Sequence, residues 1–564
     1  MPNIFAKDRI IAAPGFNRWR VPPASVSIHL CIGSVYAWSI FNPPLMKLRG
    51  VVASAADDWT LSEVNWVFTF AIVFLGLSAA VAGKWLERVG PRLVGSFSAC
   101  CWGGGFLIGG LGILTHQLWL LYLGYGVVGG IGLGLGYVSP VSTLIKWFPD
   151  RRGMATGLAI MGFGGGAIIG APLKESLMKA YYQPPSYLGT IDQVELKTES
   201  GRRFATVNGQ SHEVVVIGKS EVSQLLVKAP EGVYVVGTGR TGIAETFFTL
   251  GLGYFVVILI AAFSYRLPAV DWKPQGWSPP IEGQPGSMIT SHNVAIDEAL
   301  KTPQFYLLWI VLCFNVTAGI GVLGVAKTMI GEIFGASLPE TVTSQFAATF
   351  VLMMSVFNML GRFAWSTASD YLGRQRTYAI FFALGTALYA SIPFIAAQQG
   401  QHPSVTWLVA FYGVTMVIFT MYGGGFAAIP AYLSDLFGTK FVGGIHGRLL
   451  TAWSTAGVIG PLAITYLRDR SLRAALTDIA SKVDPDTFEK TFGAPLAELP
   501  TLIAKKTVTL SKLMTLAPSG TVDPSSSLYN STMLAMAGLL VIAFIANSLV
   551  RPVDPKHHWA ESPT

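Results

Sequence analysis

Apolar stretches of about twenty residues recur twelve times along this chain, and that repetition leaves few folds open. A helix needs roughly 20 residues to cross the about 30 Å of hydrocarbon in a bilayer. Stretches of that length lie at approximately 25–45, 63–82, 94–114, 118–144, 153–178, 245–266, 303–330, 343–367, 377–397, 405–433, 444–467 and 528–550. Several contain Gly, Pro or a single polar residue, which membrane helices tolerate better than soluble ones do. Only 12% of the 564 residues are charged, whereas soluble domains carry roughly 25% to keep a wet surface. Lipid is therefore the solvent expected for most of the chain, and the expected fold class is an all-α membrane protein.

The remaining composition narrows the partners. The net charge of +8 comes mainly from basic residues between apolar runs, so anionic lipid headgroups, not nucleic acid, are the expected counterpart. Cys31, Cys100, Cys101 and Cys313 all fall inside apolar segments. Neither a disulfide framework nor a metal-ligand spacing is expected, and no metal or cofactor is implied. The glycine runs at 129–136 and 162–166 lack a following GK[ST] and lie within spans. They suit close helix packing better than phosphate binding. No nucleophile–base constellation points to an enzyme.

Orientation follows from the short connections. Lys84, Arg88, Arg92, then Lys146, Arg151, Arg152, then Arg374 and Arg376 occupy alternate loops, while the loops near 115–118, 331–342 and 398–404 hold no Lys or Arg. The positive-inside rule places both termini in the cytoplasm of a multi-pass protein of the cell (inner) membrane. The N-terminus lacks a cleavable signal pattern, so the first span is expected to act as the membrane signal. The expected organisation is a cytoplasmic segment 1–24, a six-helix bundle 25–266, a Pro/Gly-rich linker 267–302, a second six-helix bundle 303–550 and a cytoplasmic tail 551–564. Each bundle carries an external insertion, 179–244 with strand-like alternation and 468–527 with helical patterning. These serve either as caps or as a lid over the outer mouth. A monomer is expected.

The two halves are related. GKWLERVGPR at 83–92 is echoed by STASDYLGRQR at 366–376, so that Gly90 matches Gly373; Pro140 likewise matches Pro430, and Pro172 matches Pro461. Six spans separate each pair, so the repeats run parallel. Two such bundles can rock about a site between them, opening it to each side in turn.

The two-half layout with these loops resembles the major facilitator superfamily. Five stretches resemble, more narrowly, its oxalate/formate antiporter family, which is related to monocarboxylate transporters. They are SVYAWSIFNPPL (34–45), KWFPDRRGMATGLAIMGFGGGAIIGAP (146–172), ALKTPQFYLLW (299–309), NMLGRFAWSTASDYLGR (358–374) and HGRLLTAWSTAGVIGP (446–461). The resemblance implies two pseudo-symmetric bundles and transport of a small carboxylate such as oxalate, formate, lactate or pyruvate. Exchange or proton symport would drive it. It also implies gating loops built on Gly83, Glu87, Arg88 and Arg92 in one half and Asp370, Gly373 and Arg374 in the other.

Arg362 is the residue expected to anchor the substrate. Eight helical residues at about 1.5 Å each place it about 12 Å deeper than Asp370, near mid-bilayer. A charge there costs at least about 2.5–3.5 kcal/mol and demands a wet cavity or a partner. No acidic residue is read in the middle of any span, so an incoming carboxylate could supply the partner through two parallel bonds. The alternative is a gate pair with Asp370. The resemblance further implies substrate-facing aromatics at Tyr36, Tyr137, Tyr422 and Phe426, each of which packing alone could equally explain.

Two departures from the family bear on substrate and coupling. Oxalate-exchanging members have a lysine on span eleven where this chain has Trp453, which favours a monoanion over a dianion. Monocarboxylate carriers have an aspartate one turn before the arginine, where this chain has Asn358, which cannot take up a proton. His29 is then the titratable candidate for proton coupling, unless a backbone carbonyl satisfies it. His446 and Arg448 either draw anions into the inner mouth or anchor a helix. Lys174 and Lys327, at the outer ends of spans five and seven, are expected to snorkel. The reading is a small-carboxylate carrier. A carrier of another solute, or a sensor that binds without turnover, remains open.

Overall fold

The computed structural model describes residues 4–199, 202–207, 209–218, 222, 225–269, 272–276, 288–290, 292–504 and 508–559. Parts of the expected insertions, linker and tail lie outside the described residues. Among the described residues, eleven helices are long and apolar enough to cross a bilayer. They are spans two to twelve: Leu61–Gly83, Pro91–Leu114, Leu118–Trp147, Gly153–Tyr181, Ile243–Ser264, Pro303–Phe334, Ser344–Leu372, Arg374–Gln401, Val405–Phe437, Val442–Ala480 and Pro524–Ser548. Their outward faces are apolar, with Val81 75% and Val409 64% exposed, as a lipid-facing surface requires.

Span one departs from the expected single helix. It runs as an α-helix over Val21–Gly33, tightens to a 3₁₀ stretch over Ser34–Ile40, and resumes as one short turn at Asn42–Leu45. Ala37 leaves helical geometry altogether (φ −94°, ψ 24°). The carbonyls freed there are received by a buried cation: Lys174 Nζ donates to Ser34 O at 2.7 Å and to Ala37 O at 3.2 Å, and lies 4.4 Å from the Phe41 ring centroid. Lys174 is fully buried, so the expected snorkelling does not occur.

The repeat is visible in backbone geometry. The helix of span two runs on to Val89 and is capped by Gly90 (φ 85°), and that of span eight is capped by Gly373 (φ 84°). Each glycine takes a left-handed conformation that other residues avoid, turning the chain directly into the next helix. The two bundles meet along spans two against eleven and five against eight. Small residues permit this approach. A Cβ on Gly83 would lie 3.1 Å from Gly444 Cα, and one on Gly164 would lie 2.7 Å from Arg362 Nε.

The termini share one face of the molecule with the linker: Ile11 bridges Leu267, and Val294 bridges His558. The two insertions share the other. The first forms a five-stranded antiparallel sheet of β1 Tyr187–Gly189, β2 Leu196–Glu199, β3 Arg202–Val207, β4 Gln210–Ile217 and β5 Gly232–Val235, in the order β1-β5-β4-β3-β2. It docks on the loop between spans one and two. Val215, Ile217 and Tyr234 pack with Val52 and Ala55, Gly237 N donates to Arg49 O at 2.8 Å, and Arg202 pairs with Asp57 at 2.7 Å. The second insertion is helical, over Pro485–Phe492, Leu499–Ala504 and Leu510–Leu516.

Candidate functional site

Arg362 sits on span eight where that helix crosses the bundle interface, and it is 0% exposed. Its Nε donates to Asn358 Oδ1 at 3.0 Å, one turn back on the same helix. Nη2 reaches Tyr36 Oη at 3.3 Å in the 3₁₀ stretch of span one, and Nη1 reaches the Ile160 carbonyl of span five at 3.4 Å. Both of those partners belong to the opposite bundle. Aromatic faces enclose the cation: its Cζ lies 5.0 Å from the Phe426 centroid, 5.6 Å from Phe163 and 5.9 Å from Tyr36, favourable geometry for a desolvated guanidinium. The partners are all neutral, and among the described residues no carboxylate pairs with it.

The other expected site residues converge on the same point. Tyr36 Oη and Tyr422 Oη are 3.0 Å apart, one from each bundle. Trp453 is buried against Phe426, with centroids 4.4 Å apart, and against Tyr137 at 5.3 Å. Several polar atoms here are buried without a hydrogen-bond partner, among them Asn358 Nδ2 and Trp453 Nε1. The Tyr137 hydroxyl stands near Arg362 without closing a bond in good geometry. Donors without acceptors around a cation form a lining suited to an anion. Phe163, which touches Arg362, Tyr36 and Trp453, escaped sequence reading because its GFGGG context signals packing only.

His29 borders this cluster, with its ring 5.4 Å from that of Tyr137. Its Nδ1 is hydrogen-bonded to the Ala159 carbonyl. Nδ1 must then carry the proton, which leaves Nε2 as a bare acceptor. The carbonyl-satisfied alternative for His29 is thus the one found. His446 is also buried (3% exposed) with Nε2 unpartnered, while Arg448 turns outward to Asp297 at 2.7 Å.

On the termini side of Arg362, the expected gating residues divide. Asp370 crosses the interface, accepting from Gly153 N at 3.2 Å and Met154 N at 3.3 Å at the start of span five. A carboxylate is favoured at such a helix start. Arg374 holds it at 2.5 Å and is itself tied to Asp435 at 3.0 Å. Gly83 lies against the glycines at 443–444 of the other bundle. Arg92 instead donates to the Ile4 and Phe263 carbonyls within its own half, and Arg88 is exposed. Glu87 is half-buried in a small cleft that His446 also lines. Arg362 therefore makes no pair with Asp370.

On the insertion side the bundles also touch. Asn42 Nδ2 donates to Gly324 O at 3.0 Å, and Ser355 Oγ to Gly164 O at 2.5 Å. Glu175 and Lys327 pair there at 2.7 Å, 5% and 8% exposed. This corrects two expectations. Lys327 does not snorkel, and span five does carry a buried acid, although one bound to Lys327 and not to Arg362. Closed on both faces, the site around Arg362 is sealed.

A family model described as Major Facilitator Superfamily matches residues 27–189 and 234–461. The chain is similar to the oxalate:formate antiporter of Oxalobacter formigenes, 25% identical over 445 residues that cover 79% of this chain and 83% of the relative. It is similar to apicoplast pyruvate carrier 1 of Toxoplasma gondii, 23% identical over 505 residues, 80% of this chain and 83% of that one. Among solved structures, a bacterial homologue of the human lysosomal transporter Spinster, inward-facing and unoccupied, gives a TM-score of 0.54 at 15% identity. The match covers 98% of this chain and all of the other, and shows the fold alone.

Proposed function

Since the chain belongs to the major facilitator superfamily, and is therefore a multi-pass membrane transporter and not an enzyme, we propose that it carries a small carboxylate anion by alternating access, anchored on Arg362. The observation that carries this reading is a sealed guanidinium at the bundle interface whose partners are all neutral. A buried charge without a counter-ion is costly, and a planar carboxylate offers two parallel acceptors to the guanidinium fork. Asn358 Nδ2 and Trp453 Nε1 stand ready as further donors. The similarity to proteins named for oxalate, formate and pyruvate supports the same chemistry.

A monoanion is favoured over a dianion. The lining holds one cation, and Trp453 fills the place of a second with an aromatic ring against Phe426. Tyr36, Tyr137, Tyr422 and Phe426 exclude water around the bound anion. His29 is held by the Ala159 carbonyl, which favours a structural role over proton coupling. With Asn358 unable to take up a proton, exchange of one carboxylate for another is the simpler cycle. The termini side faces the cytoplasm, and Asp370 with Arg374 closes it while Asn42, Glu175 and Lys327 close the other side. Bundle rocking then breaks one set of contacts while keeping the other.

Counterflow of labelled formate, pyruvate, lactate and oxalate into loaded proteoliposomes, with and without a pH gradient, tests the reading. Exchange of at least one acid, with monocarboxylates ahead of oxalate, is the expected result. Absence of counterflow with all four refutes it.

A further inference from the structure

The Arg362 site leaves unexplained a second buried cation on the path between the bundles. Lys327 lies on span seven and lines a cleft on the insertion side, together with Pro43, Pro44, Lys47 and Ser344. Both bundles contribute to that cleft, and Leu225–Val227 of the first insertion roof it. Its ammonium holds a carboxylate already, that of Glu175 on span five of the opposite bundle, at 2.7 Å. Glu175 does not line the cleft; Lys327 does.

We propose that Lys327 is a second carboxylate-binding position, at the outer mouth, and that Glu175 is a tethered competitor occupying it in the closed state. The inference rests on the carboxylate reading above. Spans five and seven belong to different bundles, so opening the insertion side must draw Glu175 away from Lys327. An ammonium at 8% exposure then faces the cleft with its partner removed, and a partly desolvated cation favours an anion of the same chemistry. An incoming carboxylate replaces Glu175. When the bundles close again, Glu175 returns and displaces the substrate towards Arg362. Lys174, the neighbouring residue on span five, takes no part, since its ammonium is held by the Ser34 and Ala37 carbonyls. Lys47, whose Nζ donates to Val52 O at 3.1 Å, adds positive potential at the rim.

The position differs from a plain latch in the sign of two substitutions. Were the pair only a latch, removing either partner would loosen the closed state in the same way, and both variants would bind substrate alike. As a binding position, Glu175→Gln removes the competitor and tightens binding, whereas loss of Lys327 removes the position itself. Because Lys327→Gln alone strands a buried carboxylate and risks misfolding, the informative comparison is between E175Q and the double variant E175Q/K327Q, which carries neither charge.

The experiment is ligand-dependent thermal stabilisation of the full-length protein with pyruvate, formate and oxalate. For the acid that stabilises the wild type, E175Q should bind tighter, and E175Q/K327Q should bind roughly tenfold weaker than E175Q, the worth of about one charge-assisted contact. Equal affinity of the two variants overturns the second position and leaves the Arg362 site standing. Failure of all three acids to stabilise the wild type overturns the carboxylate reading itself, and this inference with it.

Discussion

Replacing Arg362 with Met should separate transport from stability, because the two draw on the guanidinium with opposite sign. A carboxylate held by two parallel charge-assisted bonds gains about 1.5–3 kcal/mol from each. Their loss amounts to about 3–6 kcal/mol, or roughly 10²- to 10⁴-fold in affinity at about 1.4 kcal/mol per decade. In the folded protein the same group makes three bonds to neutral acceptors at 3.0, 3.3 and 3.4 Å, and no ion pair among the described residues. Those bonds offset only part of the cost of placing a bare charge at that depth, about 2.5 kcal/mol or more. A Met of similar length removes the charge and keeps contact with Phe163 and Phe426. The melting temperature should therefore hold or rise while counterflow of the preferred acid falls below detection. Arg362→Lys, which keeps charge but not the planar fork, should fall between. Both are measured on one preparation, by thermal melt in detergent and by uptake in proteoliposomes. Uptake within threefold of wild type would refute the anchor. A clear fall in melting temperature would mean that the guanidinium holds the fold together.

Trp453→Lys should restore a second cation beside Arg362 and raise oxalate exchange relative to formate by roughly tenfold, read as a ratio of counterflow rates. Asp370→Asn should weaken the grip on Gly153 N and Met154 N and expose the termini side, seen as faster labelling of a cysteine placed at the inner end of span five. At the other end, Arg202 holds the Asp57 carboxyl below its usual range through a hydrogen bond. A depressed carboxylate stabilises above its unfolded value and loses that contribution as pH falls through the folded one. Docking of the first insertion, followed by limited proteolysis, should thus stay constant from about pH 8 to about pH 5 and loosen only below about pH 4.

Arg362 was legible because a lone cation in an apolar run has few innocent explanations, and its turn-back neighbour Asn358 fixes the spacing. The strand character of the first insertion was legible from EVVVIGK and VYVVGTG; the antiparallel pairing of its five strands was not. Glu175 was not, since the run KES at 174–176 reads as the polar end of a span; only the meeting of spans five and seven reveals it as buried. The break in span one was equally hidden. Residues 34–40 carry no Pro or Gly, and the partner that receives the Ser34 and Ala37 carbonyls is Lys174, far away in sequence.

That break also sets a length. Seven residues in 3₁₀ form extend by about 2.0 Å each, where an α-helix would rise about 1.5 Å, so the stretch Ser34–Ile40 reaches about 3.5 Å further than a regular helix of the same residues. Asn42 stands at its far end, and its amide meets Gly324 of the opposite bundle at 3.0 Å. Were the stretch to relax into an α-helix, that amide would be drawn back by more than the length of its own hydrogen bond. The reach of the first span to the opposite bundle is thus set by the winding of two turns of backbone around Tyr36.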